Sequence, residues 1–174
     1  IYIAGVNTGL ARLAGECADG FLVHPFHTPD YLKEVLLPAI QGGQKKAQRS
    51  PQDTAISLTA FVVTSPEEEF FVRSQIAFYA STPSYRAVMD LHGWGEIAQQ
   101  LSSLASRKEW GQMPSLITDG MLETFAVVCK PEDVGKGLIE RYNNWVDRVG
   151  LYLPFIPGER DDFWRSLSKD FNAG

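Results

Sequence analysis

Only two cysteines, Cys17 and Cys129, occur in 174 residues, too few and too far apart for a disulfide framework or a CxxC metal or redox site. Both stand in apolar stretches and read as buried free thiols, which suits a reducing, cytoplasmic setting. No apolar run approaches the roughly 18–20 residues of a membrane span, so no membrane partner is expected. Lys and Arg number 16 against 21 Asp and Glu, and a net charge of −5 disfavours a nucleic-acid backbone as partner. Histidine is scarce: there are three, and neither His24 nor His27 has a Cys, Asp or Glu at ligand spacing, so no metal site is expected. A Walker loop, a GxGxxG turn and a GxSxG nucleophile elbow are all missing, as are internal repeats and low-complexity segments.

Hydrophobic residues make up 44% of the chain, ample for one packed core, and the reading is a single domain over 1–174. Short apolar strand runs alternate with helical periodicity. Ile1–Ala4, Phe21–Val23, Ala55–Thr64 and Val149–Leu153 read as strands, and Thr124–Val128 is a further apolar run. Asn7 or Thr8 can cap a helix that carries Leu10, Leu13, Ala14 and Cys17. Thr28-Pro29 opens the next, which Gly42-Gly43 ends. Gln44–Asp53, with Lys45, Lys46 and Arg49, reads as a solvated connection. Ser65-Pro66-Glu67-Glu68 carries a capping box for a helix to about Tyr79. Helices over about 82–93, 96–107 and 114–123 form a helical insertion, 81–123. Lys130–Asp133 starts a helix toward Val146, and 161–171 is a closing helix. The order predicts an α/β fold whose parallel strands are buried on both faces.

In such folds ligands meet the carboxyl ends of the strands, here Gly5–Thr8, His24–His27, Thr64-Ser65 and Pro154–Pro157. Gly5-Val6-Asn7 entering a helix is either a plain strand-to-helix turn or a cradle of free amides for an anion. His24 fits a pocket wall; His27 reads as a surface or capping residue, and His92, before Gly93, as a structural residue at a helix end that favours a cation. Phe70, Phe71, Phe78, Tyr79, Trp94 and Trp145 fall at helical spacing and read mostly as core. These residues contain no complete catalytic constellation.

Ile1–Asn7, then Leu13-Ala14-Gly15 and Ala18-Asp19-Gly20-Phe21, resemble the second-half core of the luciferase-like monooxygenases. Val23–Thr28, Ala77–Tyr85 and Asp147–Pro154 resemble the branch of coenzyme F420-dependent oxidoreductases. The resemblance implies the C-terminal half, strands five to eight, of a (β/α)8 TIM barrel, with the insertion following strand seven. Ile1, opening directly on a strand with no initiator Met, then reads as a cut edge. The resemblance further implies hydride transfer between a deazaflavin and an organic small-molecule substrate, with FMN as the alternative cofactor. It assigns Ala4, Gly5, Val6, Asn7, Val23 and His24 to the cofactor and Phe78, Tyr79, Tyr85 and Trp94 to the substrate side. The catalytic side chains would lie in the first half of the barrel, so this chain alone is expected to be inactive. Its expected partner is that missing half or a second copy of itself.

Overall fold

The computed structural model describes residues 1–172. In chain order the elements are β1 (Tyr2–Gly5), α1 (Thr8–Cys17), β2 (Gly20–Val23), α2 (Pro29–Tyr31), α3 (Leu37–Lys46), β3 (Ala55–Val63) and α4 (Pro66–Ala80). Then come α5 (Arg86–Leu91), α6 (Gly95–Ser106), α7 (Asp119–Phe125), β4 (Ala126–Val128), α8 (Val134–Tyr142), β5 (Arg148–Leu151) and α9 (Asp161–Asn172). The strands are all parallel, as the alternation predicts.

The long strand β3 organises the sheet. Its first half pairs with β2, Ala55–Leu58 against Gly20–Val23, and β2 in turn pairs with β1. The carbonyls of Ile56 and Ala60 accept from the amides of Asp147 and Tyr152, which seats β5. The carbonyl of Val63 accepts from Cys129 and seats β4. Successive carbonyls of a strand alternate between its edges, so β4 lies on the β2 edge, beyond the end of β2. The amide of Ile56 also donates to the Asp147 carboxylate at 2.7 Å, so Asp147 grips β3 twice just before β5.

The strands are not buried on both faces. Phe21, Val23, Leu58, Ala60 and Val62 pack into the core, while Tyr2, Ala4, Leu22, Arg148 and Gly150 stand on the opposite face and are exposed. β3 and the short β4 are covered on most of both sides. On the open face, where Gly20 has no side chain, the ring of Tyr2 lies across the sheet. Its hydroxyl accepts from the guanidinium of Arg148 at 2.6 Å, joining the first strand to the last.

On the covered face α1 and α3 cross at very close range. A Cβ on Gly15 would sit 2.1 Å from the Ile40 carbonyl oxygen, and one on Gly43 would sit 2.0 Å from that of Arg12. That contact explains why the helix continues through Gly42-Gly43 to Lys46 instead of ending there. Between α2 and α3 the backbone opens into a π turn, Leu32–Leu36, just ahead of Pro38, whose missing N–H an unbroken α-helix could not accommodate.

Several expectations are corrected. Arg49 is no solvated charge: it donates to the carbonyls of Ala14, Gly15, Ala18 and Asp53 and closes the end of α1. Cys17 is exposed on the outer side of α1 and Cys129 is half-buried past β4, so neither thiol is a core residue. The capping box at α4 is shifted by one position. Ser65 accepts from the Glu68 amide, but the Glu68 carboxylate takes the amide and hydroxyl of Thr64, both at 2.7 Å. Phe70 and Phe78 are 67% and 48% exposed, because Val72, Ile76, Ala77 and Ala80 supply the buried side of α4. Val146 lies beyond α8, which ends at Tyr142.

Candidate functional site

The turn after β1 is built from backbone. The Gly5 carbonyl accepts from His24 N–H at 3.0 Å, tying the ends of β1 and β2 together. Val6 turns its side chain into the core, and its carbonyl accepts from the buried Tyr31 hydroxyl at 3.0 Å. Asn7 stands at the helix cap but its side chain caps nothing, contrary to expectation. The first-turn positions Thr8, Gly9 and Leu10 are exposed, and a Cβ at Gly9 would meet nothing within 4 Å. An uncapped helix start with open space in front of it has the form of an anion cradle. Ala4 is exposed on the open face of the sheet. Val23 packs on the opposite face, so only its backbone is near this turn.

His24 follows β2. Its Nδ1 accepts from Phe26 N–H at 3.1 Å, so the proton of the neutral ring sits on Nε2, 3.4 Å from the Tyr85 hydroxyl. Burial lowers its pKa, favouring that neutral form. Tyr85 stacks on His24 at 4.9 Å and Tyr79 meets it edge-on at 4.8 Å. Two of the four residues expected on the substrate side therefore converge on His24. The other two do not. Phe78 turns outward toward Trp110, and Trp94 packs between His92 and Phe125.

The roof over these groups comes from α4. Phe71, Gln75 and Tyr79 recur every four residues and face Tyr152, the residue after β5. Phe71 stacks on Tyr152 at 6.1 Å, Gln75 Oε1 accepts from its hydroxyl at 3.2 Å, and the Tyr79 and Tyr152 hydroxyls are 3.1 Å apart. Phe61, fully buried, meets the Tyr152 ring at 5.0 Å from below. Burial and the neighbouring Tyr152 push the Tyr79 pKa up, so it stays a neutral hydroxyl. The roles of Gln75 and Tyr152 are not read from the sequence, although the four-residue spacing of Phe71, Gln75 and Tyr79 is visible in it.

Beside Tyr152, a cleft of about 340 Å³ is walled by Glu67, Phe71, Leu153, Ile156, Arg160 and Trp164. Arg160 closes one side of it by binding Glu68 and the Thr64 hydroxyl. The Thr64-Ser65 and Pro154–Pro157 stretches thus come together here. His27 is neither exposed nor a cap. It is 1% exposed, its Nδ1 lies 2.8 Å from the His24 carbonyl, and its Nε2 has no partner. His92 is structural as expected, but burial lowers its pKa, and its Nε2 lies 2.8 Å from the Thr28 hydroxyl. Among the described residues no group of three or more His, Cys, Asp or Glu could hold a metal ion, and no helix is long and apolar enough to cross a membrane.

Comparison with known proteins adds four findings. A family model described as luciferase-like monooxygenase matches residues 1–148. An uncharacterized protein of Mycobacterium tuberculosis is 35% identical over 98% of this chain and 51% of its own length. A 5,10-methylenetetrahydromethanopterin reductase of Archaeoglobus fulgidus is 29% identical over 92% of this chain and 50% of its own. The chain therefore spans about half the length of the curated relatives it matches. Among solved structures, the coenzyme F420-dependent tetrahydromethanopterin reductase of Methanopyrus kandleri superposes with a TM-score of 0.68. That match is at 24% identity, over 95% of this chain and 47% of that one, and it establishes the α/β parallel-sheet fold.

Proposed function

Because the chain belongs to the luciferase-like monooxygenase family, we propose that it is the C-terminal half-barrel of an F420-dependent oxidoreductase. Support for the cofactor comes from the solved reductase, which is F420-dependent. Support for the half-barrel comes from the sheet, whose strands are all parallel and whose one face is left open. In this reading α4 and the helices up to α7 form the cover over the carboxyl ends of the strands.

The observation that carries the reading is the start of α1. Exposed first-turn positions, an uncapped Asn7 and clear space at Gly9 fit a phosphate group of the cofactor. The Tyr31 hydroxyl fixes that turn by holding the Val6 carbonyl. His24, neutral and with Nε2 protonated, offers a donor beside the strand ends. Tyr79 and Tyr85 pack against His24 at the same edge. A bound deazaflavin would supply the hydride chemistry; this chain's part is to hold it and shape the substrate side.

Gly9→Asp tests the cradle. A carboxylate in the first turn stabilises a helix, so the variant should melt no lower than the unaltered chain. The same charge opposes a phosphate, so the affinity for F420, read from deazaflavin fluorescence, should fall about tenfold or more. Unchanged affinity would remove the cradle from the reading, and failure of the unaltered chain to bind F420 would remove this chain's hold on the cofactor.

A further inference from the structure

The three polar groups under α4 form a chain with a direction. A hydroxyl has one proton to give. Tyr152 gives its proton to Gln75 Oε1 at 3.2 Å, so its oxygen is left to accept from Tyr79, 3.1 Å away. In this arrangement the Tyr79 proton is spent, and its oxygen is left with lone pairs to accept. Gln75, however, carries an acceptor and two donors on one planar amide, and a half-turn of that amide exchanges them. With Nε2 toward Tyr152, every bond in the chain reverses. Gln75 then donates to Tyr152, Tyr152 donates to Tyr79, and the Tyr79 proton is free to point outward. No proton leaves its oxygen; two hydroxyls rotate and one amide turns over.

The surroundings suit such a device. Gln75, Tyr79 and Tyr152 are each partly buried, so water competes poorly for these bonds without being shut out of the site. Phe61 and Phe71 hold the Tyr152 ring from two sides, and Tyr85 and His24 hold Tyr79. The rings are fixed, while the amide end of Gln75 is the part with a second arrangement of equal shape. No cation stands in the chain to impose one direction: its three members are a carboxamide and two neutral phenols.

We infer that Gln75 and Tyr152 are positioning residues that let the Tyr79 hydroxyl act either as acceptor or as donor toward a bound substrate. The group it grips would be an oxygen that gains a proton to donate on reduction, as a ketone carbonyl becomes a secondary alcohol. A hydroxyl locked as an acceptor meets the alcohol proton but not the carbonyl, whereas one free to donate meets the lone pairs of either. A reversible chain holds both ends of the reaction. This inference rests on the oxidoreductase reading above for its substrate, and on the geometry alone for the chain itself.

Cyclohexanone and cyclohexanol serve as probes, with binding to the 174-residue chain followed by chemical-shift changes of the tyrosine rings at pH 7. The unaltered chain should bind both with dissociation constants within about threefold of each other. Gln75→Glu places an ionised acceptor at the end of the chain, locks Tyr152 and Tyr79 as donors inward, and leaves Tyr79 with only lone pairs outward. It should keep its affinity for cyclohexanol and lose about tenfold for cyclohexanone. Adding Tyr152→Phe to Gln75→Glu cuts the lock, frees the Tyr79 proton and should restore the ketone. A general loss of packing would weaken both probes alike and would not be rescued by the second change. The inference is overturned if Gln75→Glu leaves the ratio of the two affinities unchanged, if the double variant still discriminates, or if the unaltered chain binds neither probe. F420 titration on the same samples separates the two readings. Bound F420 with an unchanged ratio ends the inference alone, whereas a shifted ratio without F420 binding ends the cofactor reading and leaves the chain standing.

Discussion

His27 shows what a single buried ring does to the stability of the whole chain. Its Nδ1 is satisfied by the His24 carbonyl, while Nε2 is sealed in without an acceptor for a second proton. Burial drives its pKa from 6.5 to about 4. Between those values the unfolded chain binds a proton that the folded chain refuses. Stability should therefore be flat above about pH 6.5, fall as the pH drops toward 4, and lose about 3 kcal/mol in all from this group. His27→Asn keeps a donor for the His24 carbonyl and removes the titration. Urea unfolding across that range should show the fall in the unaltered chain and a flatter profile in the variant. The sequence supported His27 as a non-ligand, since no companion stood at metal spacing. Its burial was not legible, because the wall around it includes Tyr142, far along the chain on α8, whose ring lies 5.7 Å away. The same distance limit applies to Gln75, which becomes meaningful only once Tyr152 is folded beneath it.

Elements obey local rules until another element contradicts them. Thr28 and Ser65 accept from the expected amides, and those helices start where the sequence places them, whereas the helix expected over 114–123 starts only at Asp119, capped by Thr118. Gly42-Gly43 has the local look of a helix end, yet α3 runs through it because α1 needs that surface bare. The two glycines are thus not equivalent. Gly43→Ala would drive a methyl against the Arg12 carbonyl and should destabilise the chain by about 1–3 kcal/mol. Gly42→Ala meets nothing and, by reducing the freedom of the unfolded chain, should stabilise it by about 0.4–1 kcal/mol. Opposite shifts of the urea midpoint in the two variants are the test; equal shifts would show that the crossing tolerates a wider spacing. Aromatic residues on α4 misled for a related reason. Their spacing is helical, but Val72 and Ile76 already fill the core side, which leaves Phe71 and Tyr79 for the strand ends and Phe70 and Phe78 for solvent.

At the scale of the molecule, the parallel order of strands was legible in the alternation of apolar runs and helices. The exposure of one sheet face was not, since Tyr2 and Leu22 are as apolar as buried strand residues and nothing local distinguishes them. The seating of β5 carries a kinetic meaning. β2 reaches β3 across the connection that carries α2 and α3, but β5 reaches the same strand across a sequence separation of 91 between Ile56 and Asp147. Closing so long a loop costs entropy before any strand contact repays it. The chain should consequently assemble β1, β2 and β3 first and dock β5 last. The same order, run backward, sets the route of partial opening. Under native conditions, deuterium should enter the amides of Val149 and Leu151 well before those of Phe21 and Ser57, as measured by exchange followed residue by residue. Exchange at equal rates would mean that the sheet opens as one unit. Asp147, holding β3 at both amide and carboxylate, is then the latch of the last strand to arrive and the first to leave.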